Sequence, residues 1–138
     1  MYTAEQWEHQ AIVTLESAQL LFSAGRYRDA ASRAYYAAYQ AATSASVKHG
    51  DEVQFPPNWN NPTHEQLPGL IRNNGDLSVD ERKKVGRLLE ILRLFREDAD
   101  YRPGRTVDSI IGLQAISGAT AIFRRIGIES EQPPHEKQ

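Results

Sequence analysis

Cysteine is missing from the 138 residues. Its absence excludes a disulfide framework, a thiolate metal site and a cysteine nucleophile. Histidine is scarce. His9, His49, His64 and His135 stand far apart, none three or four residues from another, so neither a histidine-built metal centre nor a cofactor is expected. No apolar run approaches the roughly 18 residues that span a bilayer, and the first residues lack the basic-then-apolar order of a signal peptide. The expected setting is cytoplasmic, away from membranes. There is no glycine-rich phosphate loop and no GxGxxG after a strand, and no serine with a partner base stands out. Charge of one sign is not in excess either, since 16 Lys and Arg meet 18 Asp and Glu. A uniformly basic nucleic-acid binder is thereby excluded, although local clusters are not.

What is present suits one compact domain. Apolar residues make up 40% and charged residues 25% of the chain, unlike a collagen-like or wholly disordered sequence. The charge is unevenly placed. Eight cations lie between Arg82 and Arg105, and only Glu90, Glu97, Asp98 and Asp100 oppose them. Arg26, Arg28 and Arg33 form a second cluster around Asp29. Most of these cations are arginines, which hold phosphate in a bidentate fork and stack on rings. The same pattern suits a solvated helix face with i,i+4 pairs such as Arg93/Glu97 and Arg96/Asp100, and Arg33 is similarly placed to pair with Asp29.

Five helical segments and no strand are expected. Thr3-Ala4-Glu5-Gln6 is a capping-box opening, and Trp7, Ala11, Leu15, Ala18 and Phe22 recur at helical spacing until Gly25. A second helix from about Tyr27 to Lys48 carries Ala30, Ala31, Ala34, Ala37, Ala38, Ala41, Ala42 and Ala45. Such small side chains admit close neighbours, as at the centre of a bundle. Asp51 to Pro62, with three prolines, reads as a long exposed loop. A short helix is expected after Thr63, with Thr63 and Gln66 as its capping pair, His64 at its first position, and Pro68 disturbing its start. The fourth opens at Ser78 and turns Val85, Leu88, Leu89, Leu92, Phe95 and Ala99 inward. The fifth begins near Thr106 and is apolar on more than one face, which implies contact with a second surface. The fold class is therefore all-α, an up-and-down bundle of four long helices plus one short one over residues 1–128. Residues 129–138 read as a disordered tail.

Two of these helices carry an Arg and Tyr constellation: Arg33, Tyr35, Tyr36 and Tyr39 on the second, Arg93, Arg96, Asp100 and Tyr101 on the fourth. Ser32-Arg33-Ala34-Tyr35-Tyr36-Ala37-Ala38-Tyr39-Gln40-Ala41-Ala42 resembles the second-helix signature of the HEPN domain family. Thr63-His64 followed by Leu67 is similar to that family's opening of the next helix. Arg96-Glu97-Asp98-Ala99-Asp100-Tyr101 resembles the Arg-x-x-Ala-Asp-Tyr ending of the fourth helix in one prokaryotic branch.

The resemblance implies a helical homodimer that handles RNA or nucleotides, in a toxin–antitoxin or defence system, often beside a minimal nucleotidyltransferase partner. Ribonuclease members use Arg, four to six residues, then His. No histidine here follows an arginine at that spacing, and Tyr39-Gln40-Ala41 stands where many relatives have Phe-His-Ala. The expectation is therefore binding without catalysis. Arg33, Arg93, Arg96 and Arg102 would meet phosphate, Tyr36 and Tyr101 would stack on or bond to a base or sugar, and His64 and Asp100 would complete the ligand site. The alternative is a metal-independent ribonuclease in which Arg96 steadies the developing negative charge while His64 or Asp100 moves protons.

Overall fold

The computed structural model describes residues 1–129. Helix α1 spans Ala4–Ser23, α2 Tyr27–His49, α3 Leu67–Arg72, α4 Val79–Tyr101 and α5 Ser109–Ile126, with a single 3-10 turn at Asp51–Gln54. No strand occurs among the described residues. The polar tail expected over 129–138 lies, from residue 130 on, outside the described residues. No described helix is long and apolar enough to cross a membrane.

Local signals explain most of the helix ends. Thr3 accepts from the Gln6 amide and Gln6 reaches back to Thr3, so the capping box closes at both bonds. Ser78 accepts from the Glu81 amide in the same manner at α4. Each cap is worth about 1 kcal/mol against alanine. Gly25, at φ +76°, makes the reversal between α1 and α2, a conformation that a Cβ disfavours.

Helix α2 is the centre of the bundle and touches α1, α3, α4 and α5. All eight of its alanines named above are buried. Around this smooth rod, Leu15, Leu67, Ile71, Val85, Leu89, Leu92, Ile122 and Phe123 supply the bulk of the core. Gly118 of α5 lets Leu92 approach to 3.0 Å of where a Cβ would stand. The fifth helix is indeed apolar beyond its core face, for Ile110 and Leu113 remain more than half exposed.

Three local expectations need correction. Residues 51–62 are not an exposed loop throughout. They begin with the 3-10 turn, and Asp51, Phe55 and Pro62 are buried, Phe55 against Val47 and Leu70. The Thr63/Gln66 capping bonds form, yet regular helix starts only at Leu67, so His64 sits in the preceding turn, with Pro68 at the helix entry. Helix α5 starts at Ser109 rather than near Thr106, capped by Asp108, which accepts from the amides of Ile110 and Ile111. A residue far away in sequence also anchors the chain that precedes it. The Arg28 guanidinium donates to the carbonyls of Asp98 (3.0 Å), Ala99 (3.1 Å), Pro103 (3.2 Å) and Arg105, which ties down the end of α4 and holds the following chain out of helix. A cation at a helix C-terminus also meets the negative end of its dipole.

Candidate functional site

The i,i+4 spacing of α2 sorts its polar residues onto two faces. Ser32 and Tyr36 share one, Tyr35 and Tyr39 the other. The first face meets the last turns of α4. Arg96 Nε donates to Asp100 Oδ2 at 3.1 Å, and its Nη2 donates to the Tyr36 hydroxyl at 2.7 Å and to the Tyr101 hydroxyl at 3.1 Å. Ser32 donates to the same Asp100 oxygen at 2.9 Å, tying α2 to α4. The guanidinium also lies 5.3 Å from the Tyr36 ring centre and 4.9 Å from that of Tyr101. Burial works against the Arg96 charge, yet Tyr36, Tyr101 and Asp100 outweigh it and its pKa is raised. The arginine is a fixed cation.

The unused groups of this patch define its chemistry. Among the described residues, nothing meets Arg96 Nη1, and both tyrosine hydroxyls accept from Arg96 while keeping their own protons to give. Arg33 is exposed and also lies over the Tyr36 ring, 5.6 Å from its centre, with no ion pair to a described residue. Its expected partner Asp29 binds Arg26 instead, at 3.0 Å. Asp100 Oδ1 is left as an acceptor. The patch thus offers several donors, one carboxylate oxygen and a surplus of positive charge.

The second face of α2 builds an inner aromatic cluster. The Tyr35 hydroxyl lies 2.5 Å from His64 Nδ1, and the His64 ring packs 4.7 Å from Tyr39 and 6.0 Å, edge to face, from Tyr36. Tyr39 donates to the Pro62 carbonyl and accepts from Asn61 Nδ2 at 2.8 Å. Burial raises the pKa of Tyr35 and of Tyr39, so both stay protonated. Because Tyr35 is buried with no other acceptor, its proton must go to Nδ1, as an orphaned buried hydroxyl would cost about 1–3 kcal/mol. His64 therefore carries its own proton on Nε2. Burial, then Arg96 and Arg93, lower its pKa below the ordinary histidine value, so the ring is neutral near pH 7.

Beside His64 a cleft of about 380 Å³ runs between α3 and α4, lined in part by Tyr35, Leu67, Pro68 and Arg93. Arg93 is matched by carboxylates, with Glu97 at 3.2 Å and Glu65 at 3.8 Å. Arg102 is matched as well, by Asp98 at 3.0 Å and Glu97 at 3.3 Å. Of the residues singled out in the sequence, Arg33, Tyr36, Arg96, Asp100 and Tyr101 come together in one patch. His64 and Arg93 border it through the cleft, and Arg102 turns away to its carboxylates. The sequence reading named Arg28 in a basic cluster and Ser32 in the second-helix signature but gave neither a role. Ser32 was visible as the residue one turn before Tyr36, whereas Arg28 gave no local signal. Among the described residues no three His, Asp or Glu gather as metal ligands.

Comparison with known proteins agrees with this architecture. The HEPN domain family matches the chain over residues 4–129, which includes all of these groups. No curated protein and no solved structure matched.

Proposed function

The chain belongs to the HEPN domain family, and from that premise we propose that it binds RNA or a nucleotide through the Arg96 patch without cleaving it. The carrying observation is the set of unspent donors around a fixed cation. Arg96 Nη1, the Tyr36 and Tyr101 hydroxyl protons and Arg33 suit phosphate oxygens, since charge-assisted bonds of this kind are among the stronger ones. Asp100 Oδ1 suits a sugar hydroxyl, the group that separates RNA from DNA. The exposed Tyr101 ring suits stacking on a base.

Proton placement disfavours cleavage. A general base needs a free basic nitrogen, and the basic nitrogen of His64 already takes the Tyr35 proton. A general acid needs a protonated ring at working pH, and the lowered His64 pKa opposes that. Asp100 Oδ2 is already occupied, accepting from both Arg96 and Ser32.

The test incubates the protein with labelled RNA in the presence of a chelator. Intact RNA, bound with an affinity that falls by about tenfold or more in Arg96→Ala, supports the reading. Of the four arginines expected to meet phosphate, Arg33 and Arg96 are free of carboxylate excess, so log affinity should fall with log salt at a slope of roughly −0.7 to −1.5. Robust cleavage abolished in Arg96→Ala would instead establish the ribonuclease alternative. A failure to bind RNA or free nucleotides would leave the partner-protein role, with a minimal nucleotidyltransferase as the first candidate.

We also propose that two copies associate through the exposed apolar side of α5, which carries Ile110 and Leu113. A specific interface should bury at least about 1,000 Å² in total. Sedimentation that shows only monomer at micromolar concentration would refute it.

A further inference from the structure

The cleft between α3 and α4 differs in kind from the Arg96 patch. Its charges are already balanced, for Arg72 binds Glu90 and Arg93 stands between Glu65 and Glu97. Two carboxylates line it, Glu65 and Glu90, so a second phosphate is disfavoured there. Leu67, Pro68 and Leu89 add apolar lining, and about 380 Å³ lies within the range of small-molecule sites. A neutral, flat, polar-edged group is what such a cleft can hold.

His64 supplies the specific contact. Its Nδ1 is occupied by Tyr35, and no described residue meets Nε2. The inner tyrosine therefore fixes one tautomer, with a neutral N–H left to donate. The cleft and the patch adjoin through Tyr36, which packs edge to face on His64 of the cleft lining and receives the Arg96 hydrogen bond on its hydroxyl. Arg93 of the cleft and Arg96 of the patch are separated by roughly 4.5 Å of rise along α4, close enough for one ligand to reach both.

We propose that the α3–α4 cleft is the subsite for the nucleobase of the nucleotide whose phosphate meets Arg33 and Arg96, with His64 Nε2–H donating to a carbonyl oxygen or ring nitrogen of that base. The proposal rests on reading the Arg96 patch as a phosphate site. It makes His64 a binding group whose proton stays in place, and Tyr35 the positioning residue that fixes its tautomer.

The test titrates the full chain with AMP, GMP, CMP and UMP, and with ribose 5-phosphate as the same anion lacking a base. At least one mononucleotide should bind about fivefold tighter than ribose 5-phosphate, the scale of one neutral hydrogen bond. His64→Phe, which keeps a ring and removes the donor, should abolish that preference and leave ribose 5-phosphate affinity unchanged. His64→Gln, whose amide nitrogen stands near the place of Nε2, should keep part of it. Equal affinity for mononucleotides and ribose 5-phosphate, or an equal loss of both in His64→Phe, overturns the base subsite while the phosphate reading stands. Mononucleotide binding that survives Arg96→Ala but requires His64 overturns the phosphate reading instead, and no binding at all overturns both. Should His64→Phe fail to fold, nitrogen-15 spectra of the wild-type ring decide. The Nε2–H signal should move with a mononucleotide and not with ribose 5-phosphate, and a signal still in both refutes the proposal.

Discussion

Tyr35 and Tyr36 are neighbours in the chain, yet one turns into the bundle and the other to its rim. The inner residue gives its proton to His64 and is almost wholly buried. The outer residue accepts from Arg96 and keeps its proton unspent. The helical rotation between adjacent positions is enough to separate them. The inner cluster of Tyr35, Tyr39, Asn61 and His64 uses most of its hydrogen-bonding capacity on the protein, whereas the outer cluster of Arg33, Tyr36, Arg96 and Tyr101 keeps donors back. The inner cluster fixes structure and keeps one donor back, His64 Nε2–H, while the outer cluster is left able to bind with several.

The largest expected effect tests the inner side. Tyr35→Ala removes a buried ring beside Tyr36, Tyr39 and His64 and should cost about 3–5 kcal/mol of stability in denaturant unfolding. A loss below about 1 kcal/mol would mean that the inner cluster is not a packed unit. A hydroxyl-only pair sharpens the contrast. Tyr35→Phe leaves His64 Nδ1 without its donor and should destabilise by about 1–3 kcal/mol. Tyr36→Phe removes a rim hydroxyl, so its expected loss is a few-fold in RNA affinity with the smaller effect on stability. The reverse ranking would break the division.

Acidification probes the boundary between the clusters through His64. Its pKa in the fold is lowered first by burial and then by Arg96 and Arg93, with Glu65 opposing. In the unfolded chain it lies near about 6.5. Between the folded and unfolded values, the unfolded chain binds a proton that the folded chain does not, so falling pH favours unfolding. This contribution is complete above about pH 6.5 and is lost as pH falls through the lower folded value. The wild-type melting temperature should therefore drop more from pH 7 to pH 5 than that of His64→Gln. Parallel curves would show that His64 is not held neutral.

The bundle was legible because its determinants are local or periodic. The alanines of α2, the Thr3 and Ser78 caps and the apolar stripe of α4 each act within a turn or two of themselves. The departures have long-range causes. Arg28 reaches some seventy residues along the chain to anchor the segment between α4 and α5, ahead of the Asp108 cap. Phe55 leaves its loop for a satellite core against Val47 and Leu70. The site was half legible for the same reason. The Arg96/Asp100 pair is an i,i+4 contact, but whether a given cation remains available depends on which carboxylates the fold brings beside it. The family resemblance, laid over the charge pattern, implied four phosphate-facing arginines, Arg33, Arg93, Arg96 and Arg102. The three-dimensional pairing leaves Arg33 and Arg96 as the two with capacity to spare.

That distinction supplies the smallest expected effect, and the comparison of Arg96 with Arg102 isolates it. Both arginines belong to the end of α4, and both meet a carboxylate four residues away. Arg96 is 14% exposed in its side chain and has one carboxylate and two phenols, with Nη1 unspent. Arg102 is 48% exposed and meets both Asp98 and Glu97. A ligand phosphate drawn to Arg102 would have to displace or approach those two negative charges, which offsets most of the attraction. Exposed pairs of this kind also add little to stability, and salt screens them. Arg102→Ala is therefore expected to leave both the unfolding midpoint and the RNA affinity close to wild type, while Arg96→Ala lowers affinity under identical salt. The control is Glu97→Gln, which frees both Arg93 and Arg102 from a shared carboxylate and should strengthen RNA binding and steepen its salt dependence. If Arg102→Ala instead weakened binding as much as Arg96→Ala, the phosphate path would extend past Tyr101 to the end of the helix. Pairing with carboxylates would then fail as the criterion that separates the two arginines.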